Sequence, residues 1–315
     1  MKNIIKNIKL GAFLICSVLF FQCDDEVANP DFVSPANPDI SNANDTYLYE
    51  NNGKSLFERY GTATRWRWND NFIGATEKAT PIESEFVIPT TKLIDYLWIG
   101  PFVDNGGEAF INELFPPELQ YIGSFIFQDD GTIKLGFAEG GARVSLLDLN
   151  SYDLQEEQWL RGTAGILPTI HHEFTHIVHQ NYGLPVGFNT ISEAYIGQNW
   201  SDATRDEAIK LGMVRNYGAL NEFEDFCEII SHYLVMDPDT FEADFITQQD
   251  CSTLTSSDAI LNCFELNEGR KKIQEKVGLA IEFYKNTFNI DLVQVRETMQ
   301  ERIQIVMDTN EIPES

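Results

Sequence analysis

The histidines of this chain are concentrated in one short segment. The sequence has five, and four of them lie in the run ILPTIHHEFTHIVHQNYG: His171, His172, His176 and His179. Apolar residues recur in this run at helical spacing, which predicts an α-helix. Within it, His172 and His176 frame the pattern HExxH, whose i, i+4 spacing places both imidazoles on one helix face. The chain must therefore fold around a helix with a histidine-lined face.

This spacing suits a metal ion. Two neutral imidazoles one turn apart, with Cβ atoms about 6 Å from each other, can share one zinc ion. Zinc held in this way keeps a position open for water and lowers the pKa of that water. Glu173, directly after His172, is predicted to act as the general base. An amphipathic helix with partly exposed histidines is the alternative, but it leaves the separate histidine stripe unexplained.

A catalytic zinc ion needs a third protein ligand. A third histidine at the end of an extended motif is excluded, because Tyr182 occupies that position. A later helical segment offers Glu224 and Glu228 at i, i+4 spacing. We predict that Glu224 binds the metal and that Glu228 lies behind a ligand histidine, fixing its tautomer. Glu222 and Asp225, on the face predicted to be exposed, are the competitors.

The remaining histidines are given smaller roles. His179 lies on nearly the same helix face as His172, one turn beyond His176, and we predict that it is structural or supports the metal ligands from behind. Lining the cleft is the alternative for His179, whereas a fourth metal nitrogen would close the open position. His171 and His232 are predicted to be ordinary polar residues.

The N-terminal segment is typical of an export signal. Three lysines precede an uncharged apolar run over residues 10–21, which is too short to cross a membrane as a helix. Cys23 follows, with acidic residues directly after it, and this arrangement resembles a bacterial lipoprotein signal. We predict that residues 1–22 are a signal peptide and that Cys23 is lipidated. A plain secretory signal is the alternative, because bulky residues precede Cys23.

The rest of the chain is predicted to be a tether followed by one large domain. Residues 23–45 are rich in proline, asparagine and aspartate, as in flexible linkers, and residues 46–315 form the domain. Its first part contains helices near Thr46 and Gly107 and these strand-like runs: FVIPTT, YIGSFIF, TIKLGFAE and VSLLDLN. Helical patterns follow at Ala164–Gln180, Asp202–Met213, Asn221–Leu234, Leu266–Phe288 and Leu292–Met307. Strands first and helices later predict an α+β fold.

Three cysteines follow Cys23. Cys251 and Cys263 lie 12 positions apart in a polar stretch and are the candidates for a disulfide, which export would permit. Cys227 lies in an apolar helical pattern and is predicted to be a buried free thiol.

The charge of the chain restricts its partners. There are 49 acidic residues against 22 basic ones, a net charge of −27. Nucleic acid is excluded as a partner, because phosphate backbones would be repelled. An anionic lipid surface would be repelled too, so membrane residence requires the lipid anchor. Long-range attraction favours basic peptides as substrates.

The chain also resembles a known family. HHEFTHIVHQ followed by NEFEDFCE resembles the gluzincin metallopeptidases and, among them, is similar to the Bacteroidetes lipoproteins described as substrate import-associated zinc metallohydrolases. RWRWND, IGSFIF, LGFAEGGARVSLLDLN and the lipoprotein start support this narrower resemblance.

The resemblance implies a zincin-like domain, with a mixed α/β part and a small sheet followed by a mainly helical part. It also implies zinc ligands at His172, His176 and Glu224, with Glu173 as general base. Tyr217, seven residues before Glu224, occupies the place of a tyrosine that stabilises the oxyanion. A core tyrosine is the alternative for Tyr217.

These observations predict an exported, lipid-anchored zinc metallopeptidase on the outer membrane, exposed at the cell surface and acting on peptides or proteins. One alternative is an accessory subunit of an outer-membrane nutrient importer with a non-catalytic zinc site, which makes importer components candidate partners. Hydrolysis of another amide or an ester is the second alternative. AEGGARVSLLDLN is predicted to form an edge strand above the cleft, where an extended peptide pairs with it, or else only a tight turn.

Overall fold

A computed structural model describes residues 50–51, 54–70, 73–128, 133–134, 136–139, 142–192 and 194–313. The predicted signal peptide, Cys23, the tether and the start of the helix predicted near Thr46 lie outside these residues. None of the helices in the described ranges combines the length and the apolar content that a membrane crossing requires.

The central sheet is mixed. The described strands are β1 (Glu50–Asn51), β2 (Lys54–Ser55), β3 (Ala63–Arg65), β4 (Glu118–Tyr121), β5 (Ile126–Phe127), β6 (Ile133–Lys134), β7 (Gly136–Glu139) and β8 (Arg143–Leu146). The order in the sheet is β3-β4-β8-β7, with β7 antiparallel to β8 and the other pairs parallel. The pairs β1–β2 and β5–β6 form short antiparallel ribbons.

The segment AEGGARVSLLDLN was predicted to form an edge strand, and this prediction is wrong for its second half. Arg143–Leu146 pairs on both sides, with β4 and with β7, so it is an inner strand. The edge is formed by Gly136–Glu139, which returns antiparallel beside it. Whether a strand lies at the edge or inside the sheet depends on pairing between distant segments, which a local pattern does not reveal.

The helices make up most of the second half. In chain order they are α1 (Leu56–Tyr60), α2 (Ser84–Leu93), α3 (Gly100–Asp104), α4 (Glu108–Leu114), α5 (Glu157–Arg161), α6 (Ile166–Tyr182), α7 (Phe188–Ile191), α8 (Arg205–Leu211), α9 (Glu222–Val235), α10 (Pro238–Phe241), α11 (Ser257–Phe288) and α12 (Leu292–Thr309). A π-helical segment, Ile94–Ile99, joins α2 to α3. The predicted α+β class and the helix predicted near Gly107 are confirmed.

The strand predicted at FVIPTT is wrong, because this run lies within α2. Its β-branched residues favour a strand locally. In the fold, however, Val87, Thr90, Thr91 and Ile94 are all buried, and this i, i+3, i+4, i+7 spacing is that of one helix face. Burial of that face outweighs both the β propensity and the proline at position 89.

The core holds α6 in place from one side. Phe174 on α6 packs edge-on against Trp98 and Phe110, with ring centroids 5.3 and 5.4 Å away. Ile170 and Ile177 are buried in the same cluster. The other side of α6 faces α9 and strand β7. The apolar face of α6 thus orients its histidine face toward these two elements.

A buried ion pair connects α9 to α11. Asp225 and Lys276 contact each other, and both side chains are fully buried. Tyr195 Oη donates a hydrogen bond to Asp225 Oδ2 at 2.9 Å, and Lys276 Nζ donates to the Gly212 carbonyl at 2.9 Å. The expectation that Asp225 lies on an exposed face is therefore wrong, because its side chain points away from the metal-ligand candidates into the helix interface.

The three later cysteines are all inside the described fold. Cys251 and Cys263 form a disulfide, with their Cα atoms 5.8 Å apart. It joins the turn at Cys251–Thr253 to the second turn of α11. Cys227 is a buried free thiol.

Candidate metal centre

Helix α6 carries the HExxH pattern in a regular 17-residue helix. Pro168 lies in its first turn, where a backbone N–H is not needed for helical hydrogen bonding. The helix ends at Gly183, whose φ of 75° favours glycine. The regular backbone between these ends places His172 and His176 one turn apart on the face toward α9.

Helix α9 supplies the carboxylates. Asn221 caps its N-terminus, and its side-chain oxygen accepts hydrogen bonds from the backbone N–H groups of Phe223 and Glu224, both at 2.9 Å. This cap fixes the first turn, from which Glu224 projects toward α6. Glu228 follows one turn later on the same face.

Three donor atoms converge between the two helices. Nε2 of His172 lies 3.1 Å from Nε2 of His176. Oε2 of Glu224 lies 3.0 Å from the first of these nitrogens and 3.3 Å from the second. The structure thus brings together His172, His176 and Glu224, while Asp225 points elsewhere.

These distances fit a zinc ion. Ligands about 2.0–2.1 Å from zinc in a tetrahedral arrangement lie about 3.3 Å from each other. Oε2 of Glu224 is buried and has no hydrogen-bond partner among the described residues, although two imidazole nitrogens lie so near. A buried carboxylate oxygen without a hydrogen bond is costly unless a cation compensates it. A set of two nitrogens and one oxygen is that of hydrolytic zinc sites, which keep a fourth position for solvent.

Each candidate ligand histidine has a partner behind it. Oε1 of Glu228 lies 3.1 Å from Nδ1 of His172. Nδ1 of His176 and Nε2 of His179 form a hydrogen bond of 2.9 Å, and the His179 ring stacks on Phe223. Because Nε2 of His176 must be unprotonated to bind a metal, Nδ1 carries the proton, and this N–H group donates the hydrogen bond to Nε2 of His179. Glu228 and His179 thus contact the Nδ1 atoms of the two rings, opposite the converging Nε2 atoms.

The titration behaviour of these groups favours a cation. Burial alone would raise the pKa of Glu228, but His172, Arg215 and His232 lower it to about 2. Burial likewise opposes ionisation of Glu224, and His172 and His176 hold its pKa well below the ordinary value. Burial lowers the pKa of His179 to about 3, which keeps its ring neutral and able to accept a hydrogen bond. Two ionised, buried carboxylates therefore face the imidazoles.

Glu173 lies against the edge strand. A Cβ atom on Gly136 would come within 2.4 Å of Thr169 Cγ2 and 3.7 Å of Glu173 Cγ. The absence of a side chain at Gly136 therefore lets β7 pass directly over this part of α6. Glu173 is buried, with 9% of the residue exposed, and its Cγ atom faces β7 at Gly136.

Tyr217 lies in a 3₁₀ turn, Asn216–Ala219, just before α9. Its ring centroid is 5.8 Å from that of His172 and 4.8 Å from that of Trp200. The side chain is half-buried. Tyr217 is thus beside the donor cluster rather than in the distant core.

Two neighbours of the cluster were missed from the sequence. Sγ of Cys227 and the ring nitrogens of His172 and His176 all lie within 4.8 Å of one another. Cys227 follows Glu224 by three residues, a spacing that places both side chains on one face of a helix. This spacing could have indicated the contact. Burial and then the surrounding carboxylates raise the pKa of the Cys227 thiol well above its ordinary value, so the neutral thiol is a poorer metal ligand than Glu224.

Arg215 is the second missed neighbour. Its Nη1 atom lies 3.3 Å from Oε1 of Glu228. His232, predicted to be an ordinary polar residue, contacts the same carboxylate, with Nδ1 3.4 Å from Oε2. No local pattern indicates these contacts, because Arg215 lies outside α9, in the segment preceding the 3₁₀ turn.

Comparisons with known proteins identify the family and the fold of the chain. The model of the family described as "Putative zinc-binding metallo-peptidase" matches residues 39–293. The fold is similar to a crystal structure described as that of a putative zinc-binding metallo-peptidase from Bacteroides caccae, with a TM-score of 0.62 and 21% sequence identity over 82% of this chain and 94% of that chain. No curated protein matches the chain. At this identity the structural match shows a shared fold, in agreement with the zincin-like α+β architecture expected from the sequence.

Proposed function

Because this chain belongs to the zinc-binding metallopeptidase family, whose model spans most of its length, we propose that it is a gluzincin-type enzyme that hydrolyses peptide bonds. One observation carries the proposal: two imidazole nitrogens and one carboxylate oxygen lie within 3.3 Å of one another, and Glu173 directly follows one of these ligands. A structural zinc site is normally closed by four protein ligands. Three donors leave room for a reacting group.

The side chains around the candidate metal centre each have a role in the proposed reaction. His172, His176 and Glu224 hold the ion, which when bound supplies a Lewis acid that acidifies water and polarises a carbonyl group. Glu173 takes the proton from the attacking water and later delivers it to the leaving amine nitrogen. The O–H group of Tyr217 donates a hydrogen bond to the oxyanion that develops on the former carbonyl oxygen.

The supporting residues keep this arrangement rigid. Glu228 and His179 hold the two imidazole rings so that each Nε2 faces the ion. Strand β7 offers an edge along which an extended peptide can pair, next to Glu173 because Gly136 has no side chain there. A substrate bound in this way would bring its scissile carbonyl beside the general base.

The location of the enzyme is part of the proposal. We propose that residues 1–22 direct export, that Cys23 carries the lipid and that the domain stands on the outer membrane at the cell surface. Peptides or proteins would be its substrates, and components of an outer-membrane importer its neighbours. Metabolic labelling with an alkyne fatty acid tests this, because a Cys23→Ala variant should lose the label.

The activity is tested with the mature chain and a peptide library, read by mass spectrometry with and without a chelator. Cleavage that chelation abolishes and zinc restores is expected. Glu173→Gln should keep its zinc, measured by elemental analysis, and lose cleavage by at least about 10²-fold. The exposed Glu282→Gln is the matched control.

Three other outcomes of the cleavage experiment would contradict part or all of this proposal. Equal cleavage by Glu173→Gln would refute the role of Glu173. A zinc-loaded wild-type chain that cleaves no peptide but binds importer components would favour the accessory subunit. Cleavage confined to non-peptide amide or ester probes would assign the site to another hydrolysis.

A further inference from the structure

A short segment, residues 195–203, packs on the 3₁₀ turn that precedes α9. At its start, the backbone N–H of Ile196 donates a hydrogen bond of 2.9 Å to the Ala219 carbonyl. At its end, the Ala203 carbonyl accepts a hydrogen bond of 3.4 Å from the side-chain amide of Asn216. Both ends of the segment are therefore bonded to the turn.

The same segment is attached to α9. Tyr195 Oη donates a hydrogen bond of 2.9 Å to Oδ2 of Asp225, the residue after the candidate ligand Glu224. A Cβ atom on Gly218, in the 3₁₀ turn, would lie 3.3 Å from Cα of Asp225, so the turn also packs closely on this part of the helix. The segment, the turn and the first turn of α9 therefore hold fixed positions relative to one another.

Trp200, in the middle of the segment, contacts Tyr217. The two rings meet edge to face, with centroids 4.8 Å apart and an angle of 75° between their planes. Aromatic pairs favour this geometry, because the positive edge of one ring faces the negative face of the other. The Tyr217 ring centroid is also 5.8 Å from that of His172 and 6.0 Å from the guanidinium carbon of Arg215. Tyr217 thus has neighbours from three parts of the chain.

Trp200 differs from the other two neighbours of Tyr217. His172 is a candidate metal ligand, and Arg215 pairs with Glu228 at 3.3 Å, so the positions of both are fixed by other partners. Trp200 lies outside the donor cluster and packs, half-buried, on a small apolar cluster next to the turn. Its indole ring occupies the space beside the Tyr217 ring.

A hydrogen-bond donor to an oxyanion is effective only when it is in place before the reaction. A donor that already points at the developing charge contributes most to the rate, and a displacement of about 1 Å can cost about 10²-fold. Tyr217 is only half-buried, so the core does not fix its ring. A neighbouring ring with a defined contact therefore decides where its hydroxyl lies.

We propose that Trp200 is a positioning residue of the candidate active site, whose ring holds Tyr217 so that the tyrosine O–H points at the oxyanion. The inference rests on the proposed function and adds a residue to it. Trp200 acts through Tyr217 and does not itself contact the reacting atoms.

The first test is kinetic and uses a peptide that the wild-type chain cleaves. Tyr217→Phe should lower kcat about 10²-fold, and Trp200→Ala should lower it about tenfold. KM should change less than about twofold, because the hydroxyl acts on the oxyanion and not on the bound peptide. Trp200→Phe keeps an aromatic edge and should recover most of kcat. Trp68→Ala, which removes a half-buried tryptophan from the separate cluster around Ile122, is the matched control and should keep kcat.

A double variant separates positioning from a general loss of structure. In the Tyr217→Phe background, Trp200→Ala should cause no further loss of kcat, because the hydroxyl that Trp200 positions is absent. Thermal unfolding and elemental analysis record the fold and the zinc content of each variant. Trp200→Leu keeps much of the apolar volume but removes the aromatic edge. It should also lower kcat, and it decides the test if Trp200→Ala does not fold.

Binding provides a readout that needs no turnover. A phosphonamidate analogue of an alanine peptide carries tetrahedral, negatively charged oxygens like those of the transition state. Calorimetry with the zinc-loaded chains should show about tenfold weaker binding to Trp200→Ala than to the wild type, and nearly wild-type binding to Trp200→Phe. The corresponding amide peptide should bind the Glu173→Gln chain equally well with and without Trp200→Ala.

A wild-type kcat in Trp200→Ala, a change confined to KM, or equal phosphonamidate binding overturns the inference. Losses that multiply in the double variant overturn it as well, because Trp200 would then act independently of Tyr217. A Tyr217→Phe chain that cleaves normally removes this inference and leaves the peptidase proposal standing. A wild-type chain that cleaves no peptide, but binds the phosphonamidate more tightly than Trp200→Ala does, supports the positioning and removes the peptidase proposal.

Discussion

Oε1 of Glu228 lies 3.1 Å from Nδ1 of His172 and 3.3 Å from Nη1 of Arg215. One buried carboxylate thus connects the candidate metal centre with Arg215, in the segment before the 3₁₀ turn. Its oxygens are buried among these groups, so changes at Glu228 should affect the ion before they affect the overall fold.

Glu228→Gln should weaken zinc binding about 10- to 100-fold, because a neutral amide orients the His172 ring less strongly and makes its Nε2 less basic. Competition with a fluorescent chelator measures this affinity. Glu222→Gln, in the first turn of the same helix, is the control and should bind zinc like the wild type. Equal affinities in the two variants would show that Glu228 does not support the ligand.

His179→Phe should also weaken zinc binding, by about tenfold. The phenyl ring can keep the stacking on Phe223 but accepts no hydrogen bond from Nδ1 of His176. His179→Gln, which can accept such a bond, should recover part of the affinity. The same chelator competition reads both variants, and a phenylalanine variant with wild-type affinity would contradict the role.

Lys276→Met should destabilise the fold by about 3–5 kcal/mol, because it leaves the buried carboxylate of Asp225 without its cation. Lys271→Met, at an exposed position on the same helix, should change the free energy of unfolding by less than about 0.5 kcal/mol. Urea unfolding followed by circular dichroism measures both. A small effect at Lys276 would mean that Tyr195 and solvent compensate Asp225.

The metal-free protein should be most stable near pH 6.5, where the contributions of the buried histidines meet. The pKa of His172 is raised well above 6.5 by Glu224 and Glu228 against the effect of burial, so its contribution is fully present below pH 6.5 and is lost as the pH rises through the folded-state pKa. The pKa of Glu228 is lowered from 4.5 to about 2, so its contribution is present above pH 4.5 and is lost as the pH falls toward 2.

Burial lowers the pKa values of His171 and His179 to about 3, so their contributions are present above pH 6.5 and are lost as the pH falls. Thermal unfolding midpoints of the chelator-treated chain should therefore be highest near pH 6.5 and decrease on both sides. The zinc-loaded chain should instead gain stability toward neutral pH, because metal binding requires unprotonated imidazoles. A metal-free chain whose midpoint rises steadily from pH 5 to 8 would contradict the assignment of these shifts.

Much of the candidate site was predictable because helical spacing is local. The i, i+4 relation aligns His172 with His176 on α6, and it aligns Glu224 with Glu228 on α9. No tertiary information is needed to see that each pair shares a face. The same periodicity predicted most of the long helices and the α+β class.

Tertiary packing decided the rest, because contacts between distant segments depend on how helices and strands meet. It separates the neighbours Glu224 and Asp225, directing one to the histidines and the other to Lys276. It brings Arg215 to Glu228, turns FVIPTT into a helix with a buried face, and makes β7 rather than β8 the edge strand. Residue spacing along one helix is set by backbone geometry, whereas these contacts are set by which surfaces become buried together.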